Sequence, residues 1–142
     1  MFIITNPQIQ TIIEQLCFGR ILSENSRKHA KHLAFISIDD AIMTCIGSYI
    51  ATKNKDTISN DFDIWLDLLE KDNKITVYEK NDIKKYHNAR ENILNQHDLL
   101  MMDINKKYIV LLKILLAYLF GYRLSKSDWE KRIKEYKQKL NL

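Results

Sequence analysis

Apolar residues recur at intervals of three and four along nearly the whole chain, the spacing of a single helix face. Behind Asn6-Pro7, an N-cap side chain followed by proline at the first helical position, Ile9, Ile12, Ile13, Leu16 and Cys17 keep one such face. Ser23-Glu-Asn-Ser26 offers caps for a longer second helix, where Ala30, Leu33, Ala34, Ile38, Ala41, Ile42, Cys45, Ile46 and Tyr49 repeat. The polar stretch from Thr52 to Asn60 has no period and reads as a loop. Phe62, Trp65, Leu66 and Leu69 predict a short third helix that stops near Asp72-Asn73, and Ile75-Thr-Val77 is too short for a sheet.

From about Glu79 the pattern predicts one long polar helix running towards Asp103, with Ile83, Leu94 and Met101 among its apolar positions. A fifth helix, about Asn105 to Phe120, is apolar almost all round, with Gly121 where a C-cap belongs. Such a helix is either central to the bundle, the commoner case, or lends one face to a second subunit. Ser127-Asp-Trp-Glu130 has the form of a capping box opening a last helix striped by Trp129, Ile133, Tyr136 and Leu140. Only 3 Gly and 1 Pro occur among 142 residues, too few for the turns of a sandwich or barrel. The expectation is a single all-α domain over residues 1–142, an antiparallel bundle of about five to six helices.

Charge and composition narrow the chemistry. Lys and Arg number 22 against 18 Asp and Glu, a net +4 that suits a polyanionic partner without requiring one, since the signs are interspersed. The same mixing makes the lysine-rich last helix an ordinary solvated face. Cys17 and Cys45 lie too far apart for a zinc motif and fall in apolar stripes, where thiols act as small hydrophobes. His29-x-x-His32 has no third ligand at metal spacing and reads as a solvated face. No cofactor or metal is expected, nor a Gly-rich nucleotide loop or a nucleophile triad. The N-terminus lacks the basic segment of a signal peptide. Tyr108 to Phe120, the strongest apolar run, is interrupted by Lys113 and too short to span a bilayer, so the expected setting is cytoplasmic, without membrane.

One segment is both polar and unusual: Lys85-Tyr-His87-Asn-Ala-Arg90-Glu-Asn-Ile-Leu-Asn95-Gln-His97-Asp. On a continuous helix at about 100° per residue, Arg90 and His97 would lie within about 20° of one face, two turns apart. His87 would stand one turn before Arg90, with Glu91 and Asn95 near the edge of that face. A guanidinium, imidazoles and amides on one surface suit a phosphodiester: arginine holds it bidentately and histidine exchanges protons near neutral pH.

This segment resembles the HEPN superfamily, helical-bundle proteins whose signature is an Arg, four to six residues, then a His, often in the context His-x-x-Arg-Asn. Here His87-Asn-Ala-Arg90 is followed by six residues and His97. Phe35-Ile-Ser-Ile-Asp-Asp-Ala-Ile42 with Ser48-Tyr-Ile50 is similar to the family's second helix, and the short Trp/Leu helix stands in the same order before the motif. The similarity spans about residues 20 to 120. It departs at Glu91, where the family has a small polar residue, and at Asn95, which occupies the commoner His position.

The resemblance implies a metal-independent endoribonuclease, of the kind found in toxin and antiphage-defence systems, acting as a homodimer with the two Arg–His faces on one cleft. It implies Arg90 and His97 as catalytic residues, with His87, Asn92 and Asn95 positioning the substrate. RNA would be the substrate or ligand, and an antitoxin or defence-system protein a partner. The other reading the residues allow is a HEPN-like dimer with a decayed site, binding RNA or protein without cutting.

Overall fold

The computed structural model describes residues 7–53 and 61–140, and among them all regular structure is helical. The helices are α1 (Pro7–Ser23), α2 (Ala30–Lys53), α3 (Phe62–Lys71), α4 (Val77–Asn88), α5 (Asp98–Phe120) and α6 (Lys126–Leu140), with a 3-10 segment at Ala89–Asn95. The expected all-α bundle is what the chain forms. Asn6, and the greater part of the expected loop between Thr52 and Asn60, lie outside the described residues.

The central helix is α2. Phe35, Ile38, Ala41, Ile42, Cys45 and Ile46 are completely buried, because α1 covers one side and α5 another. Ser37 donates to the Gln15 carbonyl at 3.0 Å, and Gly19 lies against Ala34 and Ile38, so residue numbers rise on α1 as they fall on α2. These two helices are antiparallel. Asn105 meets Lys31, Tyr108 stacks on Phe35, and Phe120 meets Tyr49, so α5 runs alongside α2 in the same direction. The interposed α3 and α4 make that return possible.

The fifth helix begins earlier than its apolar run suggests, at Asp98, and is not enclosed all round. Val110 and Tyr118 are exposed on its outer side, whereas Tyr108, Leu112, Leu115 and Leu116 face the core. Length and composition alone would let α2 cross a membrane, the one such helix among the described residues, yet it forms the centre of the packed core.

The ends follow capping chemistry. Asp61 caps α3 through Asp63, and Thr76 with Glu79 forms a full capping box for α4. Gly121 closes α5 at φ 66°, the left-handed conformation glycine adopts without a Cβ clash. At α6 the expected box from Ser127 to Glu130 is displaced by two residues. Ser125 Oγ accepts from the Asp128 amide, and Glu130 instead pairs with Arg20 at 2.7 Å.

Candidate functional site

The single long polar helix is not formed. After Asn88 the chain tightens into the 3-10 segment, Asn92 leaves helical geometry at φ −123°, and Gln96 and His97 are extended. Gln96 is held there by His32, whose Nε2 donates to the Gln96 carbonyl at 3.0 Å. His97 then caps α5, its Nδ1 accepting from the Leu99 amide at 3.2 Å. Arg90 and His97 therefore do not share a helix face. The inserted break corrects that expectation.

Arg90 docks instead on α2. Its Nη1 donates to Asp40 Oδ1 at 2.6 Å and to Asp39 Oδ2 at 3.1 Å. Chiefly the Asp40 hydrogen bond, against some opposing burial and with further help from Asp39, pushes the guanidinium pKa up, so the charge is permanent. The other guanidinium nitrogens make no protein hydrogen bond among the described residues, and the side chain is 36% exposed. One edge of a fixed cation thus faces outward.

Asp39 is the hub. It is fully buried and accepts from Arg90, from His87 Nδ1 at 3.0 Å and from the Tyr108 hydroxyl. Burial foremost, and then the neighbouring Asp39 charge, push the Tyr108 phenol far up, so it remains a donor. A carboxylate taken wholly out of water needs this many partners to be tolerated. The His87 hydrogen bond also sets which tautomer the neutral ring takes: with Nδ1 donating to Asp39, its lone pair is at Nε2. Phe62 packs against that ring with centroids 4.4 Å apart.

His97 has the opposite tautomer. Accepting at Nδ1, the neutral ring carries its proton at Nε2, and that nitrogen makes no protein hydrogen bond among the described residues. Asn92 and Asn95 are exposed, and Asn95 Nδ2 donates to Asn92 Oδ1 at 3.0 Å. Glu91 is exposed and does not pair with Arg90, whose carboxylate partners are Asp39 and Asp40. The structure therefore brings Arg90 and His87 together on Asp39, whereas His97 lines a pocket with His32.

His32 itself is not on a solvated face. It is only 4% exposed, with its ring against His29 and its Nδ1 3.9 Å from Asp98 Oδ1. The residues that anchor the motif and that its spacing does not point to are Asp39, Asp40 and His32. The signal was present: Asp39 stands inside the apolar stripe Phe35–Ile38–Ile42, where an unpaired carboxylate would not be tolerated. No family model, curated protein or solved structure matches this chain.

Proposed function

We propose that the chain is a metal-independent endoribonuclease of the HEPN type that works as a homodimer. The observation that carries this reading is the Asp39 hub, which holds a permanent cation and an imidazole with a free lone pair side by side at the surface. In RNA cleavage without metal, the 2′-hydroxyl attacks the adjacent phosphate, leaving a 2′,3′-cyclic phosphate and a 5′-hydroxyl. His87 Nε2 takes the 2′-hydroxyl proton, as an Asp-oriented imidazole does, and as the bond from phosphorus to the 5′-oxygen breaks that oxygen takes a proton from solvent water, to which His87 later returns its own. The outward edge of Arg90 holds the phosphate and stabilises the charge of the transition state. His97, a donor at Nε2, contacts a phosphate oxygen, while Asn92 and Asn95 line the strand's path. This assignment gives the proton-accepting role to His87 and keeps His97 as a charge-stabilising donor.

Two features support the dimer. Leu99 and Leu100 are 67% and 46% exposed beside the motif, apolar area suited to a second copy. Arg90 alone offers one cation beside two carboxylates, and a twofold mate would add a second guanidinium to the groove. The setting that fits is a cytoplasmic toxin or antiphage nuclease. The test is incubation of unstructured RNA with the protein in EDTA, beside an Arg90→Ala/His97→Ala double variant. Cleavage by the wild type alone is expected. No cleavage by either, or equal cleavage by both, would favour the non-catalytic binding module, for which the acidic surroundings of Arg90 also speak.

A further inference from the structure

A pocket of about 370 Å³ lies beside the break in the chain, between the start of α2 and the start of α5. Lys28, His29, His32, Leu94, His97 and Asp98 are on its wall. Within it His32 is a buried side chain with an unanswered polar atom. Its Nε2 proton goes to the Gln96 carbonyl, which leaves Nδ1 as an acceptor, and Nδ1 has no hydrogen-bond partner. The atom points towards Asp98 Oδ1 at 3.9 Å, too far for a direct bond and close enough for one donor group to serve both. His29 adds a second sign of construction. It holds φ 64°, a conformation that non-glycine residues adopt at a cost, and its ring lies edge-on to His32.

The chemistry of the wall selects its ligand. No three His, Cys, Asp or Glu side chains among the described residues are arranged to hold a metal ion. A bare phosphate would meet the Asp98 carboxylate and the lone pair of His32. The pocket instead offers adjacent acceptors, Asp98 and His32 Nδ1, with the Lys28 ammonium as a donor and the exposed Leu94 as an apolar face. Among the RNA bases only guanine presents two adjacent donors, N1–H and the N2 amino group, next to an acceptor, O6.

We propose that this pocket binds a guanine base. Asp98 accepts from N1–H and N2–H, His32 Nδ1 accepts the second amino hydrogen, Lys28 donates to O6, and the ring lies on Leu94. Adenine and cytosine each set an acceptor against Asp98, and uracil offers one donor between two acceptors. The pocket is lined by His97, which makes it a specificity subsite next to the cleavage centre, and only this placement rests on the nuclease reading.

The experiment is calorimetric and NMR titration of the full chain with the 5′-monophosphates of guanosine, adenosine, cytidine and uridine, following the histidine ring signals. The guanosine nucleotide should bind about tenfold or more tightly than the others, the discrimination a bidentate contact provides. It should also perturb the His32 ring. Asp98→Asn, an exposed position that leaves the fold intact, should abolish that preference, and Lys28→Ala should weaken guanosine monophosphate binding. Equal binding of all four nucleotides, no binding in the millimolar range, or an undiminished preference in Asp98→Asn would overturn the proposal. RNA cleavage is scored separately on the same preparations. Guanosine selectivity without cleavage would defeat the nuclease reading alone, and cleavage without selectivity would defeat the pocket alone.

Discussion

His32 and Asp39 stand seven residues apart on α2, two turns along one face, and each receives one end of the polar motif. Asp39 takes Arg90 directly, and His32 takes the backbone of Gln96, next to His97. The helical rise puts the two anchors about 10 Å apart. The Arg–His motif is therefore spaced by α2 rather than by a helix of its own, and substitutions on α2 should act on the site from a distance in sequence.

Removal of Asp39 tests that dependence. Asp39→Ala orphans the buried Tyr108 hydroxyl and removes two charge-assisted hydrogen bonds, a loss of about 2–3 kcal/mol. A thermal melt should fall by several degrees, about 4–12 °C for a domain of this size. Tyr108→Phe, which leaves Asp39 its other partners, should cost only about 1 kcal/mol. A melt of Asp39→Ala indistinguishable from wild type would mean that the hub holds nothing together.

The histidines should separate by role. His87→Ala removes the proposed proton acceptor and should lower cleavage about 10²-fold or more, at a stability cost of about 1.5–3 kcal/mol because buried Asp39 loses a charge-assisted hydrogen bond. His97→Ala should lower cleavage too, with a smaller cost of about 1 kcal/mol, because the ring caps α5. Asn95→Ala should lower activity least, since Asn95 bonds only to Asn92. Rates and melts of the three variants check this order. Unchanged cleavage in His87→Ala would return the proton transfer to His97.

The bundle was legible because its signals are local. Apolar periodicity gave the helices, and Gly121 and the Asp72-Asn73 stop marked real ends. The break at Gln96–His97 escaped because Ile83, Tyr86, Ile93 and Met101 stay in helical phase across it, so the period carries no trace of the interruption. Only the capping chemistry showed it: Asp98 belongs in a first turn, and His97 before it can cap. The Arg90–Asp39 contact spans 51 positions, and no periodicity argument reaches that far. His32 was misplaced because a His-x-x-His pair looks solvated until a distant carbonyl is found for one ring.

Packing between α1 and α2 can be tested at Gly19. A Cβ there would lie 2.7 Å from Ile38 Cγ1 and 3.3 Å from the Ala34 carbonyl, both in the closed core. Overpacking of this kind costs about 1–3 kcal/mol, against about 1 kcal/mol gained from alanine's helix propensity. Gly19→Ala should therefore be destabilising in denaturant titration. A stabilised variant would show that the two helices part easily.

The cysteines should be silent in the folded chain. Burial pushes the Cys45 thiol up to about 12, and burial, partly offset by Arg132 and Arg20, pushes the Cys17 thiol up to about 11. A raised thiol pKa means less thiolate at any pH below it, so at pH 8 both remain protonated and shielded. A colourless-to-coloured thiol reagent at pH 8 should register neither in native protein and both after denaturation. Rapid native reaction of either would contradict the packing of α1 on α2.

In the proposed nuclease the Asp39-anchored Arg90 and His87, with His97, would cleave RNA without metal. The most direct measurement is the chemistry of the new ends, read by phosphorus NMR and end-labelling after incubation of single-stranded RNA with the protein in EDTA. A 2′,3′-cyclic phosphate with a 5′-hydroxyl, formed by wild type and reduced about 10²–10³-fold in Arg90→Ala, is the predicted result. Ends bearing a 5′-phosphate, cleavage that requires added metal, or cyclic phosphate formed equally by Arg90→Ala would contradict it.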